Sequence, residues 1–184
     1  MYVTPDHAQE VLNNADQLHS AEDVQRAIDR MAKEITGKLK DTNPLVLCVM
    51  VGGLIPAGWI LSRLGFPLNM DYIHATRYRG NTSGGKLHWI AEPSSPLTDR
   101  TVLIIDDILD EGITLKEIVA SCYERGAKKV YTAVLVEKKH DRCISDKADF
   151  TGLEVEDRYV FGCGMDYKGF LRNLPAIYAV GENE

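Results

Sequence analysis

The amino-acid sequence predicts an α/β fold with an open, mostly parallel sheet that is flanked by helices. Two nearly continuous apolar runs, LVLCVMV (45–51) and TVLIID (101–106), have the composition of strands that are covered on both faces. Each run ends in a turn and is followed by a segment with helical character. The second run, its helix and KVYTAVLVEK (129–138) form a strand-helix-strand unit, which is the unit that connects neighbouring parallel strands.

The remaining segments are assigned in chain order. Apolar residues at three- and four-residue spacing predict one or two amphipathic helices within 1–40. IPAGWILSRLG (55–65) predicts a crossover helix that ends at Gly65, and TLKEIVASCYERG (114–126) predicts a second helix that also ends at a glycine. From 150 to 184, short strand-like pieces are separated by polar turns.

The segment 68–93 predicts a hairpin with an exposed, flexible tip. Two strand-like pieces flank RGNTSGG (79–85), which is rich in glycine and small polar residues. Loops of this composition often cover active sites, so this hairpin is a candidate lid.

Composition limits the classes of protein that this chain can belong to. Its 184 residues, 45% hydrophobic and 26% charged, predict a single globular domain over 1–184. The net charge of -6 argues against a surface that binds nucleic acid or anionic lipid without sequence preference. With neither a leader pattern nor a long apolar span, we expect a cytoplasmic protein. The four cysteines form no CxxC pair, which favours free thiols over structural zinc.

The stretch VLIIDDILDEGITL (102–115) carries the strongest functional signal. Three aspartates and one glutamate lie within six positions at the end of a buried strand, and ligands of open parallel sheets collect at the carboxyl ends of strands. Gly112 then begins a helix whose first amides are free to bind phosphate, with the Thr114 hydroxyl as a further donor. Paired carboxylates next to a phosphate cradle predict a site for a ribose 5-phosphate. The ordinary alternative is an acidic helix cap on a solvated face.

This stretch resembles the phosphoribosyl pyrophosphate (PRPP) binding signature of type I phosphoribosyltransferases. Three further motifs resemble the hypoxanthine-guanine branch of that family and occur in the same order: CVMVGG (48–53) its pyrophosphate loop, VLVEK (134–138) its purine-binding strand end, and YVFGCGMDYKGFLRNLP (159–175) its C-terminal hood. The resemblance implies transfer of ribose 5-phosphate from PRPP to N9 of a 6-oxopurine (hypoxanthine, guanine or both), with Mg²⁺ as cofactor and a homodimer or homotetramer as the assembly.

The resemblance also implies roles for the acidic stretch. Asp106 and Asp107 would hold the ribose 2- and 3-hydroxyls, and Asp110 would act as the general base or proton relay near purine N7. Carboxylates suit this chemistry, because negative charge stabilises an oxocarbenium-like transition state. The 5-phosphate would be bound by the loop residues Glu111 (through its backbone), Gly112, Ile113 and Thr114.

Further roles come from the other three motifs. Lys138 would donate to purine O6, Tyr159 would stack on the base, and the Val160 backbone would read its N1/N2 edge. Asp166 would bind Mg²⁺, directly or through water. Without the family pattern, these residues would be interpreted as a solvated lysine, a core tyrosine and a turn aspartate.

Pyrophosphate would contact three residues, Val51, Gly52 and Arg172. Arg77 and Tyr78 belong to the flexible hairpin, which would close over the site and exclude water.

Two positions depart from the family pattern. Glu111 replaces the usual threonine of the phosphate loop, and we expect its carboxylate to point away from the phosphate. Val51 stands where several members carry a basic residue, so only its backbone would serve pyrophosphate, through a strained or cis peptide such as Val51–Gly52.

Two other functions are compatible with the PRPP signature. One is a regulatory RNA-binding protein of pyrimidine operons, although 21 Lys/Arg against 27 Asp/Glu give it little support. The other is a transferase for a different base, either a xanthine-preferring relative or a pyrimidine enzyme. Lys138 disfavours adenine, since a donor cannot pair with an exocyclic amine.

Overall fold

The computed structural model describes residues 3–77, 87–140, 142 and 147–181. Within these ranges the helices are Pro5–Asn13 (α1), Ala21–Leu39 (α2), Leu54–Leu61 (α3) and Ile113–Glu124 (α4). The strands are Asp16–His19 (β1), Leu45–Met50 (β2), Asn69–Arg77 (β3), Leu87–Ala91 (β4), Thr101–Leu109 (β5), Lys129–Lys139 (β6), Phe150–Glu156 (β7), Val160–Phe161 (β8) and Ile177–Ala179 (β9). The predicted α/β fold class is confirmed.

The large sheet has six strands in the order β4-β3-β2-β5-β6-β7. All neighbouring pairs are parallel except β3 and β4, which are antiparallel. The central strand β2 is buried in all but its last residue, and β5 is buried over 102–105, as expected for strands covered on both faces. The carboxyl ends of β2, β5 and β6 therefore meet at one edge of the sheet.

Helices cover both faces of this sheet. Val46 and Cys48 point into a cluster with α2 and α3, whereas their neighbours Leu45 and Leu47 point into a second cluster with α4. This alternation follows from the two-residue period of a strand. Helix α2 begins with a capping box, in which Ser20 and Asp23 each accept from the other's backbone amide.

A second sheet with the order β1-β9-β8 joins the two ends of the chain. The sequence did not predict β1, because its four residues DQLH are mostly polar and lie between two strong helical patterns. Phe150–Glu156 is the edge strand of the large sheet, so the small sheet begins only at Val160 in the C-terminal part of the chain.

Two predicted boundaries were wrong. Helix α3 ends at Leu61 and not at Gly65, because tighter turn bonds replace the helical pattern from Arg63 onward and the Arg63 guanidinium binds the Trp59 carbonyl. Strand β5 continues beyond Asp106 to Leu109, which still pairs with Glu137 of β6.

The two strand-like pieces of the predicted hairpin are β3 and β4. The tip of this hairpin and Tyr78 lie outside the described residues, so their mobility stays a prediction. Three of the four cysteines, Cys48, Cys122 and Cys163, are buried free thiols, as expected. None of the helices in the described ranges combines the length and the apolar character that a bilayer crossing requires.

Candidate active site

Asp106 and Asp107 lie near the carboxyl end of β5, and the Asp107 side chain is only 13% exposed. The Asp107 amide donates to Asp106 Oδ1 at 2.8 Å, and the Ile108 amide donates to Asp107 Oδ1 at 2.9 Å. Burial and the adjacent Asp107 carboxylate raise the pKa of Asp106 well above its usual range. Burial also raises the pKa of Asp107, although Asp106 and Arg172 oppose that shift. Two carboxylates are thus held together where a ligand's hydroxyls can relieve the repulsion.

Replacing Asp106 with asparagine should stabilise the protein at neutral pH. An aspartate whose pKa is raised on folding binds its proton more tightly in the folded state, so its charge weakens stability above the folded pKa, and this penalty shrinks as the pH falls from the folded toward the unfolded pKa. We expect the Asp106→Asn variant to gain about 0.5–2 kcal/mol at pH 7, the usual range for single stabilising substitutions. Thermal unfolding between pH 4.5 and 7.5 should show this advantage shrinking toward acid. An advantage that grows toward acid would contradict the expectation.

The loop after β2 approaches Asp107 so closely that only glycine fits at position 52. A Cβ atom on Gly52 would lie 2.0 Å from Asp107 Oδ2. A Cβ on Gly164, which has a φ of +107°, would in turn lie 2.0 Å from the Gly52 carbonyl oxygen. The cis peptide bond of this loop joins Met50 and Val51, one bond before the Val51–Gly52 bond considered from the sequence. The backbone of the loop is thus packed tightly between β5 and the C-terminal segment.

Asp110 follows the end of β5 and is bound by two residues from the end of β6. Its Oδ2 accepts from Lys138 Nζ at 3.1 Å, and its Oδ1 lies 2.6 Å from His140 Nε2. Burial alone would raise the pKa of Asp110, but the bonds from His140 and Lys138 outweigh that effect and lower it. Asp110 is therefore held ionised at neutral pH, with its carboxylate 44% exposed.

Helix α4 begins directly after this carboxylate. Gly112 is its N-cap residue, with a left-handed φ of 78° and no side-chain cap, so the helix starts with amides that no capping side chain covers. Ile113 and Thr114 form the first turn. Such an end attracts anions through its free N–H groups and its dipole. Glu111 is exposed, and the direction of its carboxylate relative to a phosphate stays a prediction.

Arg172 connects the C-terminal segment to the acidic edge. Its guanidinium lies 2.5 Å from Asp166 Oδ1 and 3.9 Å from Asp107 Oδ2, and it donates to the Gly164 carbonyl at 2.5 Å. Asp166 Oδ2 also accepts from the Gly169 amide at 2.7 Å. The Asp166–Gly169 bond closes the turn 166–169. Arg172 links this turn to Gly164 and to Asp107 at the end of β5.

The tyrosine predicted to stack on the base stands at the rim of this region. Tyr159 is 50% exposed, and its ring packs edge-on against Tyr167 at 5.6 Å between centroids. The Tyr167 hydroxyl lies 3.1 Å from His7 Nε2 of α1, which ties the N-terminal helix to this turn. Val160 is buried and pairs with Ala179. An exposed aromatic face next to a fixed backbone strand is suitable for a flat heterocycle.

The predicted residues thus form two contacting groups, Asp110 with Lys138 and Asp107 with Asp166 and Arg172. Val51 is 46% exposed beside the first glycine of the loop. Arg77 is the last residue of β3.

Sequence reasoning missed two residues of the site, His140 and Gly164. His140 follows the last residue of β6, and a single histidine at that place has no distinctive sequence pattern. Gly164 is the second glycine of a Gly-x-Gly pair.

The donor set at this edge is compatible with Mg²⁺. That ion takes oxygen ligands and retains several waters, so one or two carboxylates beside a polyphosphate are sufficient. Oδ1 of Asp166 binds the Arg172 guanidinium, and Oδ2 accepts from the Gly169 amide. Each carboxylate oxygen keeps a second lone pair, which could bind the ion.

Comparisons with known proteins identify the family of this chain. The family model of the phosphoribosyl transferase domain matches residues 14–168. A hypoxanthine-guanine phosphoribosyltransferase of Bacillus subtilis is 35% identical over 161 residues, which cover 87% of this chain and 89% of the relative. A hypoxanthine-guanine-xanthine phosphoribosyltransferase of Tritrichomonas foetus is 31% identical over 167 residues, 90% of this chain and 91% of the relative.

A crystal structure of a hypoxanthine phosphoribosyltransferase from Staphylococcus aureus superposes with a TM-score of 0.87 at 27% identity, over 92% of this chain and 93% of that one. Family model, relatives and fold lead to the same assignment. The chain belongs to the phosphoribosyltransferase family, in the hypoxanthine-guanine branch that its four motifs resemble.

Proposed function

We propose that this protein transfers ribose 5-phosphate from PRPP to N9 of a 6-oxopurine and releases pyrophosphate. The observation that carries the proposal is the contact between Asp110 and Lys138 at the edge where β5 and β6 end. A carboxylate beside an ammonium group matches the edge of a 6-oxopurine. The carboxylate can accept the proton of N7, and the ammonium group can donate to the purine O6. Relatives that carry this activity in their names support the proposal.

The sugar and its phosphates bind next to that pair. Asp106 and Asp107 accept hydrogen bonds from the ribose hydroxyls, which offsets the repulsion between the two carboxylates. The amides of Ile113 and Thr114, with the Thr114 hydroxyl, bind the 5-phosphate, while Gly112 and the Glu111 backbone shape the turn. Val51 and Gly52 offer backbone groups to pyrophosphate, and Arg172 adds positive charge.

In the reaction the bond from ribose C1 to pyrophosphate breaks, and pyrophosphate leaves with the electron pair. The N9 lone pair of the purine forms the new bond to C1, and Asp110 accepts the proton from N7. Lys138 polarises O6, Tyr159 stacks on the ring, and the Val160 backbone binds the N1/N2 edge. Asp166 would hold Mg²⁺, and the ion would supply positive charge to the pyrophosphate group. Arg77 ends β3, and the closure of the segment that follows it, with Tyr78, stays a prediction outside the described residues.

A direct assay tests this function. The purified chain is incubated with PRPP, Mg²⁺ and each of five bases: hypoxanthine, guanine, xanthine, adenine and uracil. We expect turnover with hypoxanthine, guanine or both, and none with adenine or uracil. Absence of turnover with every 6-oxopurine would reject the proposal. Xanthine is included because the name of the Tritrichomonas foetus relative contains it.

We also propose that the chain forms homo-oligomers through the uncovered face of β3 and β4. Met70, Tyr72 and Ile90 are 65%, 50% and 56% exposed. The register with β2 places Met70 beside Val46 and Tyr72 beside Cys48, on the face that α2 and α3 cover elsewhere. Exposed apolar side chains grouped on one sheet face favour association. We also propose that the protein is cytoplasmic.

A charge placed on this face should separate the subunits. In sedimentation experiments we expect the Tyr72→Glu variant to move toward the 20.5 kDa of one chain, because a carboxylate in an apolar interface is desolvated without a partner. Lys33→Glu, on the exposed side of α2, changes the charge by two units, against one unit for Tyr72→Glu, and should still leave the assembly unchanged. Equal masses for wild type and Tyr72→Glu would exclude this face as the interface.

A further inference from the structure

We propose that His140 is a positioning residue that orients the Asp110 carboxylate for proton transfer. This inference rests on the proposed function, because it assigns a role toward the proposed base. The Asp110 oxygens are divided between two donors: Oδ2 binds Lys138 Nζ at 3.1 Å and Oδ1 faces His140 Nε2 at 2.6 Å. The carboxylate is 44% exposed, whereas the side chains of Lys138 and His140 are 12% and 6% exposed. The acceptor is thus open to substrate, while its supports are shielded behind it.

The imidazole of His140 has a defined tautomer. The backbone amide of Arg142 donates to His140 Nδ1 at 3.1 Å, so Nδ1 must carry the lone pair. A neutral imidazole has one N–H, which is therefore on Nε2 and points at Asp110. This geometry makes His140 a hydrogen-bond donor to the base. It fixes the direction of the carboxylate, since the ring is held on its other side by the main chain.

The same bonds argue against a metal at this place. Asp110, His140 and Asp157 have potential ligand atoms within 4.8 Å of one another. A metal on Nε2 would need the lone pair there and the hydrogen on Nδ1, where it would face the Arg142 N–H. Asp157 is already paired with the Arg142 guanidinium at 2.5 Å. The cluster is therefore a hydrogen-bonded support of Asp110.

His140 has a role that Lys138 cannot fill alone. Lys138 is proposed to donate to purine O6, so in the complex its ammonium group is shared between the base and Asp110. The two ring contacts that the described residues give His140, to Asp110 and to the Arg142 amide, are not ones that a bound purine would replace. Within the described part of the chain, the groups next to its ring are Asp110, Asp157 and the main chain of Arg142, while Lys138 binds the other oxygen of Asp110. With His140 absent, Asp110 would lose its fixed donor, and its pKa would rise because the His140 bond is one cause of its lowering.

Two substitutions separate positioning from packing. His140→Asn retains an acceptor for the Arg142 amide but is too short to reach Asp110, whereas His140→Gln extends an N–H donor to the place of Nε2. We expect the single-turnover rate to fall about tenfold in His140→Asn, a fraction of the roughly 10²–10⁴-fold that a general base contributes. His140→Gln should recover most of that loss. The control is Lys139→Ala, because Lys139 is the exposed neighbour that pairs with Glu154 and not with Asp110.

The pH profile and a double variant give readouts that a purely structural role would not move. In His140→Asn the acid limb of kcat/KM should shift to higher pH, while KM for PRPP stays within about twofold of wild type. In an Asp110→Asn background, His140→Asn should have little further effect, because the two residues act as a unit. An unshifted acid limb, or additive losses in the double variant, would overturn the inference. Inactive wild-type protein would instead refute the proposed function.

Discussion

Replacing Asp110 with asparagine is expected to slow the chemical step by about 10²–10⁴-fold, the range that a general acid or base contributes. The amide cannot accept the N7 proton, and it presents one NH₂ group to two neighbours that are both donors, Lys138 and His140. Nucleotide binding should weaken far less, because Asp106 and Asp107 and the helix end are untouched. Single-turnover rates and nucleotide titrations measure the two effects separately.

The control for this substitution is Glu154→Gln, which removes an equally negative side chain that pairs with Lys139 on the exposed side of the sheet. It should leave rate and affinity unchanged, since a surface ion pair contributes little. Thermal unfolding of both variants tests whether the fold is retained. Turnover by Asp110→Asn at the wild-type rate would remove Asp110 from the proposed mechanism.

The large sheet could be predicted because each of its central strands has an unambiguous local signature. LVLCVMV and TVLIID are too apolar for anything except a buried strand or helix, and their length and flanking turns decide between the two. β1 had no such signature. It is formed by pairing with β9, whose partner residues lie some 160 positions away, such as Asp16 with Ala179. Strands that are stabilised by distant pairing and not by their own composition cannot be identified locally.

The candidate site divides in the same way. Asp110 and Lys138 were identified because each lies in a motif that resembles the family pattern, and the pairing of β5 with β6 brings the two motifs together. His140 was missed because a histidine at a strand end has no distinctive pattern, and its role depends on the Arg142 amide beyond it. The closeness of Gly52 to Asp107 was likewise invisible, since it arises from the packing of a loop against another strand.

The close packing of Gly52 against Asp107 leads to the second large expected effect. Gly52→Ala should lower kcat/KM for PRPP by about 100-fold or more, because a misplacement of about 1 Å at a reacting site has an effect of that size. The added methyl group would lie 2.0 Å from Asp107 Oδ2 and 2.5 Å from its Cγ. Asp107 cannot easily withdraw, since its side chain is 13% exposed and Oδ1 accepts from the Ile108 amide. The loop must therefore move, and on its other side a Cβ at Gly164 would lie only 2.0 Å from the Gly52 carbonyl oxygen.

Gly58→Ala is the matched control, six positions away in helix α3. A Cβ there would have no heavy atom within 4 Å, and alanine is better than glycine in a helix by about 1 kcal/mol. We expect wild-type kinetics and a melting temperature higher by roughly 2–4 °C for this variant. Gly52→Ala should instead lose about 1–3 kcal/mol through overpacking. Equal kinetics for the two alanine variants would mean that the loop can yield at Gly52 without disturbing the acidic edge, and that pyrophosphate binding does not depend on this close approach.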